Sequence, residues 1–390
     1  MAANLPMNIL VNALTITDGG GIVVLIHLIE SIQALDPGIH WYVVAEPHVL
    51  ARFKHSGTIN KITYSWARKS PLHLLFWYEI TLPKLIRRVN ATLCFSYTNF
   101  LSRRQLPCPS LLLIHNAGFF SKRFTEMHLA YYTRLRDALI WKQKTKWVYA
   151  SIKRATLVTV QTNALANRII NHTKISPSKI ITIPHGIGLL NGEIQSIKTF
   201  QNVTAWRLGY ITKFGVQKDF ITAFKAMHYL KKNRIPAKLI LTLNPALREN
   251  DLILQQVKLL DIQDRVENIG DIIHPEEIKK VYESLDCFIF PSLIESFGFT
   301  LVEAMAMGLP ILAADTESNR EIVGSGGEFF IAENDRSLYA SIIRLMNDPV
   351  LYHQSALHSL ERSKTFNWEK AAKIFIEKIY QLRTVGNLSL

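Results

Sequence analysis

Glu295 and Glu303, with seven residues between them, bracket a stretch whose residue types suit the handling of a sugar and a phosphate. The apolar run 287–290 leads into Ser296, Phe297, Gly298 and Phe299. A helical pattern over 301–307 follows, stopped by Gly308 and Pro310. Strand, glycine loop and helix start leave backbone N–H groups free to face an anion. A carboxylate in the same loop accepts hydrogen bonds from the vicinal hydroxyls of a sugar. Glu295 fits that chemistry as a loop residue beside a glycine. Glu303 has a second reading, because 300–303 also fits a capping box in which the glutamate only caps backbone N–H groups.

Other residues could share the chemistry. Lys213 and Lys218 leave an expected strand, 207–211, just before a helix, and ammonium groups there can neutralise a diphosphate as charge develops on it. Solvated surface lysines are the alternative. Gly19, Gly20 and Gly21 follow the apolar run 7–14, where glycines let a backbone approach a phosphate closely; a plain tight turn explains them equally well. His115 ends another apolar run, 111–114. Ligand-contacting residues in open α/β sheets sit at that edge, although a lone histidine is more often structural.

Strands alternating with helices must position these residues. In the first half strands are expected at 7–14, 41–45, 93–95, 111–114, 157–160 and 180–183, with helices at 22–35 and 163–171. The polar stretch 191–202 reads as a linker. Strands at 207–211, 238–243, 266–269, 287–290 and 310–314 then repeat the pattern, with helices at 219–232, 246–260, 275–285, 301–307 and 336–346. This predicts an α/β protein of two doubly wound domains: an N-terminal domain 1–190, a linker 191–202, a C-terminal domain 203–367, and a helix 368–390 that packs back on the N-terminal domain.

At 390 residues the chain exceeds one ordinary core. Cys94, Cys108 and Cys287 are widely spaced, without metal-ligand spacing, which suits a reducing compartment and no metal. The apolar runs fall short of the roughly 18 to 20 residues that cross a bilayer, and the N-terminus has no basic region before its apolar run. A cytoplasmic protein is expected. Charge is uneven: residues 1–190 hold 22 Lys and Arg against 7 Asp and Glu, whereas residues 191–390 hold 23 against 24. The basic residues of 122–154 are interleaved with Tyr131, Tyr132, Trp141, Trp147 and Tyr149, and those at Lys84, Arg87 and Arg88 follow the apolar segment 72–78. Such a surface suits the anionic cytoplasmic leaflet; a solvated helix face is the alternative.

Pro291-Ser292, Glu295-Ser296-Phe297-Gly298 and the run from Glu303 through Gly308 to Pro310 resemble the signature of glycosyltransferase family 4, retaining nucleotide-sugar transferases of the GT-B fold. Val281-Tyr282, Asp286, Glu321-Ile322-Val323 and Phe366-Asn367-Trp368-Glu369 extend the likeness, and Gln161-Thr162 and Pro184-His185-Gly186 carry it more loosely into the first half. The resemblance implies two Rossmann-like domains facing a central cleft. It places Glu295 on the donor sugar's hydroxyls, Glu303 on the ribose and His115 beside the transferred sugar. Lys213, Lys218, Gly20, Gly21 and the backbone of 296–299 would hold the diphosphate. Three positions depart from the pattern: Lys213 replaces an arginine, losing a bidentate grip, Thr212 replaces a glycine, and Ser296 stands where a glycine is common.

The implied reaction is transfer to an acceptor hydroxyl with retention, without metal or other cofactor. The implied partners are a nucleoside-diphosphate sugar and a glycan or lipid-linked acceptor, as in lipopolysaccharide or O-antigen assembly. Two rivals remain open. One is an epimerase or sugar-phosphate synthase on the same fold. The other is a non-enzymatic nucleic-acid binder, suggested by charge alone, which leaves the Glu295–Glu303 stretch unexplained; no nucleic-acid partner is expected.

Overall fold

The computed structural model describes residues 7–54, 56–188, 197–200, 204–272 and 275–387. The chain divides into two compact units. Unit 1 takes in Met1–Ser121, Tyr132–Gly186 and Trp368–Leu390; unit 2 takes in Lys122–Tyr131 and Ile187–Asn367.

Among the described residues, unit 1 contains a seven-stranded parallel sheet. Its strands are β1 (Met7–Asn12), β2 (Ile39–Val44), β3 (Ile59–Ile62), β4 (Leu93–Ser96), β5 (Ser110–Leu113), β6 (Leu157–Val160) and β7 (Ile180–Thr182). The order β3-β2-β1-β4-β5-β6-β7 reverses between β1 and β4. β4, β5 and β6 are short and wholly buried, as expected of strands covered on both faces. β3, Ile-Asn-Lys-Ile, was not expected from sequence, because it is an edge strand with two exposed polar residues and no continuous apolar run. The helix after β1 spans Gly20–Leu35, two residues earlier than the pattern predicts, with Gly19 at φ 63° before it. Gly20 and Gly21 are therefore its first turn. The final helix, Trp368–Asn387, packs against Gly20–Leu35, where the Tyr380 hydroxyl donates to Asp36 Oδ2 at 2.7 Å and Phe375 lies 5.0 Å from Phe95, ring to ring.

Unit 2 has, among the described residues, a six-stranded parallel sheet in the order β10-β9-β8-β11-β12-β13. The strands are β8 (Trp206–Tyr210), β9 (Ala237–Leu241), β10 (Val266–Asn268), β11 (Cys287–Phe290), β12 (Ile311–Ala314) and β13 (Glu328–Phe330). The expectation of five strands is corrected to six, since β13 is only three residues long. The helices Glu317–Val323 and Pro349–Ser363 were also not expected. β8 and β11 lie side by side, Cys287 against Leu208 and Phe288 against Gly209, and the connections leaving them run in opposite directions. That is the switch point at which open α/β sheets bind ligands.

Two boundaries differ from the sequence reading. The helix Lys122–Tyr131 groups with unit 2 instead of with 1–190, through an Arg123–Glu333 ion pair and a Tyr131–Phe214 ring contact at 5.1 Å. Of the linker 191–202, residues 191–196 and 201–202 lie outside the described residues. Residues 197–200 belong to unit 2: the Lys198 N–H donates to Gly308 O at 3.1 Å, and Phe200 meets Trp206 and Tyr352 edge-on. The polar composition of 191–202 as a whole conceals this anchored segment, Ile-Lys-Thr-Phe.

Gly209 in β8 is needed for packing. A Cβ there would run into Leu285, which is fully buried beside it. Gly209→Val should lower the stability of unit 2 by about 2–3 kcal/mol through overpacking, seen as an earlier denaturant midpoint. A midpoint unchanged from wild type would show that Leu285 can move aside. Among the described residues, no helix is long and apolar enough to cross a membrane.

Candidate functional site

At the β8–β11 switch point the loop after β8 and the loop after β11 are joined. Lys218 and Ser292 form an isolated antiparallel bridge, and the Leu293 N–H donates to Gln217 O at 3.0 Å. This brings together two side chains 77 positions apart in sequence: Lys218 Nζ forms an ion pair with Glu295 Oε1. The Ser292 hydroxyl donates to the same carboxylate oxygen at 2.5 Å. Asn319, from the helix Glu317–Val323, fixes Ser292 by donating to its carbonyl at 3.0 Å and to Ala314 O at 2.9 Å. Lys218 Nζ also lies 5.3 Å from the centre of the Phe290 ring. The side chains of Lys218 and Glu295 are 13% and 12% exposed, so a cation and a carboxylate are held in a largely desolvated setting where their fields act strongly.

The neighbouring helix, Phe299–Ala306, starts from Gly298 at φ 85° and ψ 65°, and no side chain caps it. Thr300 is thus the second residue of the helix and not its cap, which overturns the capping-box reading of Glu303. Glu303 is buried, 3% exposed; its Oε2 accepts from the Tyr282 hydroxyl at 2.8 Å, and its Oε1 lies so close to Gly188 that a Cβ there would clash with it. Burial, with the carboxylate beside it, raises the Tyr282 phenol well above its ordinary range, so Tyr282 stays a donor. Ser296 is half-buried, and Phe297 packs edge-on against Phe299 and Phe366. Lys213 is exposed on the β8 loop, whose turn is set by the Thr212 N–H donating to Thr242 Oγ1 at 3.1 Å.

The expected residues of the second half thus gather at one sheet edge. Four supporting residues carry no assignment to the site from sequence. Ser292 and Tyr282 belonged to the motifs already noted but carried no role, whereas Asn319 and Gly188 have no local signal.

In unit 1, Gly20 and Gly21 open a 16-residue helix at the carboxyl edge of β1, with Gly19 and Gly20 exposed. His115 follows β5 and is half-buried. Its N–H donates to Asn99 Oδ1 at 2.9 Å, and Asn99 Nδ2 lies 3.0 Å from His115 Nε2. Because the Asn99 oxygen is already an acceptor, its amide nitrogen donates to Nε2, which puts the ring proton on Nδ1. Tyr97 stacks beside the ring at 6.1 Å. Burial lowers the His115 pKa to about 4 and that of His185, next to it, to about 3, so both are neutral at pH 7.

A pH dependence follows. An unfolded histidine protonates near 6.5 and the folded His115 near 4. As pH falls from 6.5 the unfolded chain takes up protons first. Stability that is intact above pH 6.5 is therefore lost down to pH 4, by about 3 kcal/mol from this residue. Thermal unfolding at pH 7 and pH 5 should show a smaller difference for His115→Gln than for wild type; identical slopes would contradict the assignment.

Comparison with known proteins bears on these features. Residues 193–360 match the family model "Glycosyl transferases group 1", and residues 18–189 match "Glycosyltransferase Family 4". The serotype-specific mannosyltransferase WbdA of Escherichia coli is 22% identical over 243 residues, 60% of this chain and 30% of that protein. Sucrose-phosphate synthase of Spinacia oleracea is 26% identical over 134 residues, 32% of this chain and 13% of that protein. The matches span about a third or less of the length of these relatives. Among solved structures, sucrose-phosphate synthase of Thermosynechococcus elongatus superposes with a TM-score of 0.74 at 18% identity, covering 97% of this chain and 100% of that one. Anabaena HepE in complex with UDP and glucose gives 0.68 at 16% identity, covering 96% and 100%. The fold is GT-B. Together the two family models take in most of the chain, from the glycine loop to the carboxylate pair, and the protein belongs to glycosyltransferase family 4.

Proposed function

We propose that the protein transfers a sugar from a nucleoside-diphosphate sugar to an acceptor hydroxyl with retention of configuration. The observation that carries this reading is the Lys218–Glu295 pair, held at the β8–β11 switch point by the joined loops. Glu295 accepts from the donor sugar's hydroxyls, and Lys218 with Lys213 and the N–H groups of 297–299 neutralise the diphosphate. The bond from the anomeric carbon to the phosphate oxygen breaks while the acceptor oxygen bonds to that carbon on the same face. The acceptor's proton passes to the leaving diphosphate. In this scheme Lys218 and the helix start supply the positive charge, and no metal or cofactor is invoked. Glu303 holds the ribose; His115 is assigned to the transferred sugar, and Gly20 and Gly21 to the phosphates.

The acceptor proposed is a glycan or a lipid-linked glycan handled on the cytoplasmic side, in keeping with the O-antigen chain mannosyltransferase B of Escherichia coli, 26% identical over 31% of this chain. The likeness to sucrose-phosphate synthases supports a second reading, in which the acceptor is a sugar phosphate. A thermal-shift screen against nucleoside diphosphates and their sugars tests the donor, and stabilisation by none of them would defeat the proposal. Release of nucleoside diphosphate dependent on lipid-linked glycan, or instead on sugar phosphate, decides the acceptor.

A further inference from the structure

The helix Pro71–Phe76 reads Pro-Leu-His-Leu-Leu-Phe, yet none of its residues is buried. Leu72 is 78% exposed and Phe76 53%. Directly after it Trp77, Tyr78 and Leu82 enter the core, so the segment is anchored and not a loose end. The helix Leu135–Arg154 repeats the anomaly. Its buried residues, Val148, Ser151 and Ile152, all lie in the C-terminal part. In its first two turns Leu135 is 77% exposed, Leu139 54% and Ile140 40%. Isolated exposed leucines are ordinary, but two helices that leave such side chains largely exposed mark an interaction surface.

Phe76, and Trp147 further along the helix Leu135–Arg154, border one aromatic cluster in unit 1. Phe76 meets Trp66 at 5.8 Å and Tyr78 meets Trp147 edge-on at 5.1 Å, with the Arg103 guanidinium 5.8 Å over the Trp147 ring. Charge identifies the occupant. Residues 61–88 carry six Lys and Arg against one acidic residue of their own, Glu79, with Arg68 paired to Glu46, and residues 134–154 carry seven against Asp137. A second copy of the chain would set this positive surface against itself. Nucleic acid would satisfy the cations and leave the leucines in water. An anionic lipid bilayer satisfies both: cations at the headgroups, leucine and phenylalanine in the acyl boundary, and indoles between.

We propose that unit 1 docks on an anionic lipid bilayer through the helix Pro71–Phe76 and the first turns of the helix Leu135–Arg154. The proposal rests on the lipid-linked acceptor reading for its purpose only, since vesicle binding and nucleotide binding are measured separately.

The test is flotation of the full chain with vesicles of phosphatidylglycerol and phosphatidylcholine and with phosphatidylcholine alone. Wild type should float with the anionic vesicles only, and less at high salt. Leu72→Asp/Phe76→Asp and Leu135→Asp/Leu139→Asp should each weaken binding about tenfold or more. Thermal stabilisation by a nucleoside diphosphate should persist in both variants, which shows that they are folded and that the donor reading stands on its own. Several results would overturn the proposal: binding to neither vesicle, equal binding to both, or variants that float like wild type. A dimer that the same substitutions dissociate would assign the surface to a second copy, and tighter, salt-steep binding to duplex DNA would assign it to nucleic acid.

Discussion

Glu295→Ala is expected to lower kcat/KM for sugar transfer by about a thousandfold, ~4 kcal/mol of transition-state stabilisation. The carboxylate oxygen that takes the Ser292 hydroxyl and the Lys218 ammonium is fixed by a bridge between two loops, so its direction is set before any substrate arrives. A group preorganised in this way costs little reorganisation during reaction, and its loss falls on the rate. Glu295→Gln keeps the shape and an acceptor oxygen but loses the charge, and should fall between wild type and the alanine variant. The alanine variant should retain thermal stabilisation by nucleoside diphosphate, because Glu295 is assigned to the sugar. Full activity in Glu295→Ala would remove it from the site.

Lys218→Ala is expected to be about as damaging, for a different reason. It removes the cation assigned to the leaving diphosphate and leaves Glu295, only 12% exposed, without its counter-charge. Unfolding should show a loss of about 1–3 kcal/mol, less than for a fully buried pair because both groups keep some contact with water. The two substitutions share one interaction, so their effects should not add: Lys218→Ala/Glu295→Ala should be little worse than the poorer single variant. Additive losses would mean that the ion pair is a feature of the ligand-free protein alone and that each residue acts on its own part of the donor. Nucleotide binding separates the two singles, since Lys218→Ala should weaken it and Glu295→Ala should not.

Much of the unit 2 framework is legible from local pattern. Cys287–Phe290 is a continuous apolar run bounded by turn residues, and it is a strand at those bounds. Phe220–Lys232 carries its own cap, Asp219, whose carboxylate accepts from the Thr222 N–H at 3.1 Å. Elements without such signals were missed. β13 is three residues long and takes its structure from pairing with β12, Leu312 against Glu328. The start of the helix Phe299–Ala306 is set by the left-handed Gly298, and a threonine two residues later offered a plausible but wrong cap.

Residue types and spacing alone determined that the chain alternates strand and helix twice over, that Glu295 lies in a loop between a strand and a helix, and that the basic residues belong to the first half. These are local properties: periodicity, caps and composition act over a few turns of chain. Only the tertiary structure decided that Lys218 pairs with Glu295, that Glu303 is a buried acceptor for Tyr282 and not a cap, that 122–131 belongs with the second unit, and that Leu72 and Leu135 are left exposed on the folded chain. Each depends on which surfaces meet across tens to hundreds of residues. Burial and hydrogen-bond partners are properties of that meeting, and no stretch of sequence carries them by itself.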